Sequence, residues 1–351
     1  MRRVAEDGAE QEMKLTVLKC VGYGKRTPWL WCRAGLRALV WMMSASAATA
    51  CAWGQTPAPS QANQNETVAT APASPNSSTA KGGDPAQAKG DIFASVIANQ
   101  KRTEAALGVY ERTQRVEYRH SSSDPKPANV KTFRLFPAGT GMDKILVSED
   151  GRPISDETYR LELEKLEKML EWAAQSGAAQ QEAYAKAEKK QKERMDLIES
   201  THNAFVFTRI GEEMRGERKL ITYSMMPNPK YKPATRNEIV FTRVQGTVWI
   251  DEQSKELARI EGRVTEDISL ALFLAKVNKG STFMQERYEL FPGVWLPTFE
   301  QFDFDGRKFW LSFAIHEKTF YSNYRHVGPP KDAVEVVRSE LSKPKEEKAD
   351  P

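Results

Sequence analysis

The sequence predicts an α+β protein: a highly curved antiparallel sheet, or half-barrel, covered by an N-terminal helix and interrupted by a long helical insertion. Three observations predict it. From Glu238 to Arg325 apolar and polar residues alternate with a period of two, as in Leu257-Ala-Arg-Ile-Glu-Gly-Arg-Val264, where Ala258, Ile260 and Val264 share one face and Arg259, Glu261 and Arg263 the other. Asp91 can cap a helix over 92–107, with Ile92, Val96 and Ile97 near one face. Between 155 and 200 the pattern changes to a long run of Lys, Glu, Gln and Ala with a narrow Leu163, Leu166, Leu170 stripe.

In chain order, residues 1–54 read as an export signal with an extended basic n-region. Lys25, Arg26, Arg33 and Arg37 precede the apolar run Ala38-Leu-Val-Trp-Met-Met-Ser-Ala-Ser-Ala-Ala-Thr-Ala50, whose small terminal residues suit signal peptidase. The run is short for a membrane span. The long n-region is consistent with a true start downstream of Met1, and cleavage can fall after Ala50, Ala52 or Gly54. Cys51 has two readings, loss or retention unmodified after ordinary cleavage, or lipidation, since Ala48-Thr49-Ala50-Cys51 resembles a lipobox with Ala48 where a bulkier aliphatic residue is usual. Residues 55–90 are rich in Pro, Ala, Ser, Thr, Asn, Gln and Gly, which cannot bury enough surface to offset ordering, so they read as a disordered linker.

The folded domain is expected over 91–327. After the first helix, Val109–His120 reads as a strand, and Val130–Phe136 with Met142–Ser148 as a hairpin through Pro137–Gly141. Asp150-Gly151 marks a turn, and Ser155 or Asp156 caps the insertion, which Ser176-Gly177 breaks in two. Its second half reads as a solvated arm held by i,i+4 charge pairs, or as a lid or partner-binding hairpin. Strands resume at Ala204–Ile210 and Lys219–Met225, and Pro227, Pro229 and Pro233 end them. Glu238–Asp251, Leu257–Val264, Ser281–Leu290, Trp295–Phe304 and Lys308–Tyr321 complete the sheet, with Asp305-Gly306 as the turn of the last hairpin. Residues 328–351 read as a disordered charged tail.

Composition excludes several functions. A net charge of +4 with 28% charged residues, basic and acidic interleaved, argues against nucleic acid. Cys20, Cys32 and Cys51 all lie upstream of the folded domain, so it has no disulfide and no thiolate metal site. The four histidines, His120, His202, His316 and His326, are scattered, and neither a Gly-x-Ser-x-Gly elbow nor a phosphate-binding glycine loop is present. No enzyme, cofactor or metal is therefore expected. The aromatics crowd the last third of the chain. Most fill a core, and Trp249, Phe283, Tyr288, Trp295 and Phe313 are the candidates for lining an apolar hollow that could hold an acyl chain.

Several strand-and-turn motifs resemble the outer-membrane lipoprotein-sorting protein family, the LolA/LolB-like half-barrel group of periplasmic lipoprotein carriers. They are Gly246-Thr-Val-Trp-Ile-Asp251, Leu257-Ala-Arg-Ile-Glu-Gly262, Gly280-Ser-Thr-Phe283, Pro292-Gly-Val-Trp-Leu-Pro297 and Tyr321-Ser-Asn-Tyr-Arg325. The resemblance spans Asp91–Val327. It implies a half-barrel under helices, and a role in carrying lipid or acylated protein in the periplasm or at the outer membrane. The alternative is an envelope protein-interaction or sensor module that docks its partner on the arm at 155–200.

Overall fold

The computed structural model of the protein describes residues 85–343 apart from 271–274 and 309–310. The signal segment, Cys51 and most of the 55–90 linker lie outside the described residues. Thirteen strands form one antiparallel sheet in the order β4-β3-β2-β1-β13-β12-β11-β8-β7-β6-β5, with β9 and β10 appended beside β12. The sheet runs from β4 at one end to β5 at the other without closing, which fits a half-barrel.

Helix α1, Pro85–Leu107, precedes β1, Tyr110–Arg119. It starts at Pro85, inside the segment expected to be linker, because proline's fixed φ and absent N–H suit a first helical turn and Ala86-Gln-Ala-Lys89 favours helix. The hairpin of β2, Asn129–Pro137, and β3, Met142–Glu149, follows, then the short β4, Arg152–Pro153. The insertion is α2, Asp156–Ala173, and α3, Ala178–Ala204. Ser155 caps α2, its hydroxyl accepting from the Thr158 amide at 3.1 Å.

The remaining strands are β5, Phe205–Arg215; β6, Arg218–Pro227; β7, Val244–Asp251; β8, Leu257–Val264; β9, Ile268–Leu270; β10, Ala275–Val277; β11, Thr282–Phe291; β12, Val294–Lys308; and β13, Leu311–His326. β13 returns to lie beside β1, with Tyr110 opposite His326, so the two ends of the domain meet in mid-sheet.

Three expectations change. Asn237–Arg243 is a 3-10 helix, so β7 begins only at Val244: the Glu238 carboxylate accepts from the Ala234 amide, Thr235 hydroxyl and Tyr231 hydroxyl, tying the segment into a turn. Asp305-Gly306 is not a turn, because β12 runs on to Lys308, opposite Leu311. Gly306 sits in the strand because a Cβ there would lie 2.2 Å from the Lys276 carbonyl oxygen and 2.5 Å from the Phe313 ring.

The third change is the tail. Pro330–Leu341 is helix α4, not disordered chain. Ala333, Val334 and Val337 bury one of its faces against Leu163, Leu166 and Leu170 of α2 and Phe136 and Ile145 of the β2–β3 hairpin. The polar residues that suggested a tail occupy the other face, where Arg338 pairs with Glu167 and Glu171 of α2. The second half of the insertion keeps the i,i+4 pairs expected of it, Glu182 with Lys186 and Lys192 with Asp196, on a solvated face, but both halves are seated on the body. α2 belongs to this core, and α3 packs Ile198 and Met195 on Ile97 of α1. Arg194–Glu104 and Lys101–Glu199 ion pairs reinforce the α1–α3 contact.

Candidate functional site

Between α1, α3 and strands β5–β8 lies a partly open cavity of about 60 Å³. Phe93, Val96 and Ile97 face it from α1 and Ile198 from α3. The sheet contributes Phe205, Phe207, Met225, Val248, Ile250, Leu257 and Ile260; Gln100 and Thr201 are the polar members of the lining. Local pattern explains the convergence. Residues 93, 96 and 97 share a helix face, and 205 with 207, and 248 with 250, share strand faces. Phe93 stacks on Phe207 with centroids 3.9 Å apart and meets Tyr223 edge-on at 5.1 Å. One water claims about 30 Å³ of liquid, so a long chain enters only if α1 or α3 moves away.

Beside the cavity the interior turns polar. Gln100 of α1 accepts from Arg287 Nη1 at 2.7 Å, and Arg287 Nε donates to Gln285 at 3.0 Å. Gln285 donates to Glu300 at 2.7 Å, the Tyr321 hydroxyl donates to the second Glu300 oxygen at 2.8 Å, and Gln114 donates to that hydroxyl at 3.1 Å. All six side chains are buried. The belt crosses from α1 through β11, β12 and β13 to β1, and Arg112 sits over the Tyr321 and Tyr324 rings at 5.7 and 5.9 Å.

Burial dominates the protonation of this belt. It holds the Tyr321 and Tyr324 hydroxyls well above the ordinary phenol range, with the Glu300 charge adding to the effect. It also lowers the Arg287 guanidinium, against the opposing pull of Glu104, Glu256 and Glu300. Glu256 is raised by burial although Arg102 donates to it at 3.2 Å. Arg287 Nη2, Arg112 Nε and Gln114 Oε1 have no hydrogen-bond partner among the described residues.

The five residues expected to line one hollow are spread over the sheet, and none lines this cavity. Trp249 and Trp295 pack together with Leu220 and Ala258, under the guanidinium groups of Arg259 and Arg218 at 4.8 and 5.0 Å. Tyr288 is 41% exposed beneath Arg215 and shares an open cleft with Trp295. Phe283 lies against Gly262 and opposite Phe302, beside a polar hollow, and Phe313 lies against Gly306. The expected hollow is small because α3, read as solvated, covers part of it, and because the middle of the sheet carries the polar belt. The belt escaped the sequence reading because Arg112, Gln114, Glu300 and Arg287 look like solvent-facing strand residues. Phe93 and the alternating Phe205 and Phe207 were the available signals for the cavity.

His316 Nδ1 lies 3.2 Å from Asp303 and Nε2 3.6 Å from Asp305. Among the described residues no group of three His, Cys, Asp or Glu side chains could hold a metal ion. No described helix is long and apolar enough to cross a membrane.

No protein-family model matches the chain, and no curated protein does. Two solved structures align with it. One is an outer membrane lipoprotein-sorting protein domain from Vibrio parahaemolyticus, 8% identical, covering 70% of this chain and 99% of that one with a TM-score of 0.26. The other is a DUF1329 family protein from Desulfovibrio piger, 11% identical, covering 70% and 94% with a TM-score of 0.27. At that level of superposition neither carries an argument about this protein, and the α+β half-barrel assignment rests on the strand order and pairing themselves.

Proposed function

We propose that the protein is a non-enzymatic cell-envelope component that binds a lipid or lipoprotein acyl chain between α1, α3 and the sheet, in the periplasm or at the outer membrane. One observation carries the reading: eleven of the thirteen side chains around the cavity are apolar, and its roof is two helices joined to each other by a small apolar contact and two ion pairs. Each methylene moved from water into such a site gains about 0.8 kcal/mol. About ten methylenes then offset several kcal/mol of helix displacement. The binding form is one in which α1 and α3 part to widen this small cavity.

The test is displacement of an environment-sensitive fluorescent fatty-acyl probe from the mature protein. Saturable binding is expected, lost in Val248→Asp, which sets a charge in the wall, and retained in Lys165→Ala on the exposed face of α2. No saturable binding to the wild type would rule the reading out.

A second reading has its own observation. α2 exposes Leu161 and Trp172 on the side away from its buried Leu163, Leu166 and Leu170, with Met169 at the flank, which suits docking of an envelope protein. Met169→Lys with Trp172→Lys then abolishes partner capture while leaving acyl binding intact; loss of acyl binding together with capture would count against a separate docking surface.

A further inference from the structure

A second recess lies at the end of the sheet where three hairpins turn. The β5–β6, β7–β8 and β11–β12 turns, which use left-handed backbone at Gly216, Lys255 and Gly293, surround an open cleft of about 450 Å³. It shares no lining residue with the cavity under α1 and α3. Its volume falls in the range of about 300–1,000 Å³ common to small-molecule sites. The buried Leu220 and Trp295 and the half-exposed Tyr288 supply its apolar surface. Trp295 is 3% exposed, yet its indole Nε1 has no hydrogen-bond partner among the described residues. A buried indole N–H ordinarily finds one, and an acceptor brought into the cleft would remove the cost of leaving it bare.

The polar groups of the cleft are held in place. Glu289 accepts from the Gly293 amide at 2.6 Å and, through its other oxygen, from Arg218. The Arg218 guanidinium lies over the Trp295 ring at 5.0 Å, and that of Arg215 over the Tyr288 ring at 4.8 Å.

Charge narrows the class of ligand. Arg215 and Arg218 line the cleft against Glu217 and Glu289. Behind them Asp251 pairs with Arg218, Glu286 faces Arg215 and Arg259, Glu261 pairs with Arg259, and Lys219 pairs with Glu212 and Glu252. Each of these bases has an acidic partner, so an anion meets no unmatched cation. A cation approaching Glu217 meets two guanidinium groups in the same cleft, and like charges disfavour one another. The matching ligand is uncharged and carries groups that both donate and accept. The hydroxyl edge of a pyranose ring is such a surface, and its C–H face suits the negative face of an exposed aromatic ring.

We propose that the cleft binds an uncharged oligosaccharide. One ring stacks on the part of Tyr288 that Arg215 leaves exposed, and the hydroxyls accept from Trp295 Nε1 and donate to Glu217 and Gln253. This site stands apart from the acyl cavity and does not rest on it.

The experiment titrates the purified full chain with cellotriose and triacetylchitotriose, both uncharged, with anionic trigalacturonate and with the cationic glucosamine trimer, by calorimetry and by saturation-transfer NMR. At least one uncharged trimer is expected to bind at least tenfold more tightly than either charged one, with the strongest transfer to the C–H protons of one ring face. Tyr288→Ala should weaken it at least tenfold. Trp295→Phe, which keeps a ring and removes the N–H, should weaken it by about threefold to tenfold. Lys165→Ala should change nothing. Should Trp295→Phe fail to fold, Tyr288→Ala, whose side chain is half in solvent, carries the test with its urea midpoint as the check on folding. No binding of either uncharged trimer, tighter binding of a charged one, or undiminished binding by a folded Tyr288→Ala would overturn the proposal and leave the acyl reading standing.

Discussion

Truncating Leu166 to alanine tests whether the helical insertion is part of the folded body. Leu166 is 0% exposed, and its cluster includes Phe136 and Ile145 of the sheet, Leu163 and Leu170 of its own helix, and Val334 and Val337 of the C-terminal helix. Removing a leucine side chain from such a site forfeits its transfer free energy and leaves a cavity, together about 2–5 kcal/mol. The whole fold is worth about 5–15 kcal/mol, so the loss is a large share. With a urea slope of about 1–3 kcal/mol per molar, the unfolding midpoint should fall by about 1 M or more. Lys165→Ala, one residue away on the exposed face, removes only an exposed pair with Glu162 and should change stability by less than about 1 kcal/mol. A double-mutant cycle of Leu166→Ala with Val337→Ala should show coupling, since the two residues belong to one cluster across α2 and α4. A Leu166→Ala midpoint equal to that of Lys165→Ala would refute the reasoning and leave α2 without a seat on the body.

Three other outcomes follow from the same geometry. Gly262→Ala places a Cβ 2.2 Å from the Phe283 ring, so it should cost about 1–3 kcal/mol; thermal unfolding measures this, and pairing it with Phe283→Leu should recover part of the loss. Arg134 bridges Glu111 of β1, Glu340 of α4 and the Tyr159 hydroxyl of α2, so Arg134→Ala should destabilise by about 3 kcal/mol, with the largest rise in amide hydrogen exchange expected in α4. Tyr231 is pushed up from 10.0 to about 12 by burial and by its hydrogen bond to the Glu238 carboxylate. A raised folded-state value means that its stabilising contribution is whole below about pH 10 and is lost as pH climbs through about 12; a spectrophotometric titration of wild type minus Tyr231→Phe should show one phenol ionising late, and an ordinary titration near pH 10 would contradict this.

The sheet was legible because its alternation is strong. Ala258, Ile260 and Val264 are buried on β8 as the period-two pattern requires, and the β2–β3 hairpin falls where its Gly-containing connector indicates. The cap at Ser155 and the Leu163, Leu166, Leu170 stripe were legible for the same reason, since each depends on neighbours three or four residues away. Tertiary partners were not legible. Nothing near Pro330 reveals that α4 finds a second core on α2, nor does the polar composition of α3 reveal its seat on α1. Asp305-Gly306 has the residues of a turn, yet Gly306 is there to let Phe313 and the Lys276 carbonyl approach. The candidate site suffered most. Arg112, Gln114, Arg287 and Glu300 alternate like wetted strand residues and are instead buried together, with Gln114, Arg287 and Glu300 linked through Gln100, Gln285 and Tyr321 and Arg112 over the Tyr321 ring. A network of that kind is a property of the folded sheet, with partners as far as 207 positions apart in sequence.

The central claim, that the space under α1 and α3 takes an acyl chain, is tested most directly by mass spectrometry of the mature protein purified from the cell envelope, once native and once denatured. The account predicts a native mass in excess of the polypeptide by that of an acyl compound, and the disappearance of that excess on denaturation. An excess surviving denaturation and mapping to Cys51 would report covalent acylation, a separate matter from the cavity. Identical native and denatured masses, together with no uptake of added methyl oleate, would contradict the account.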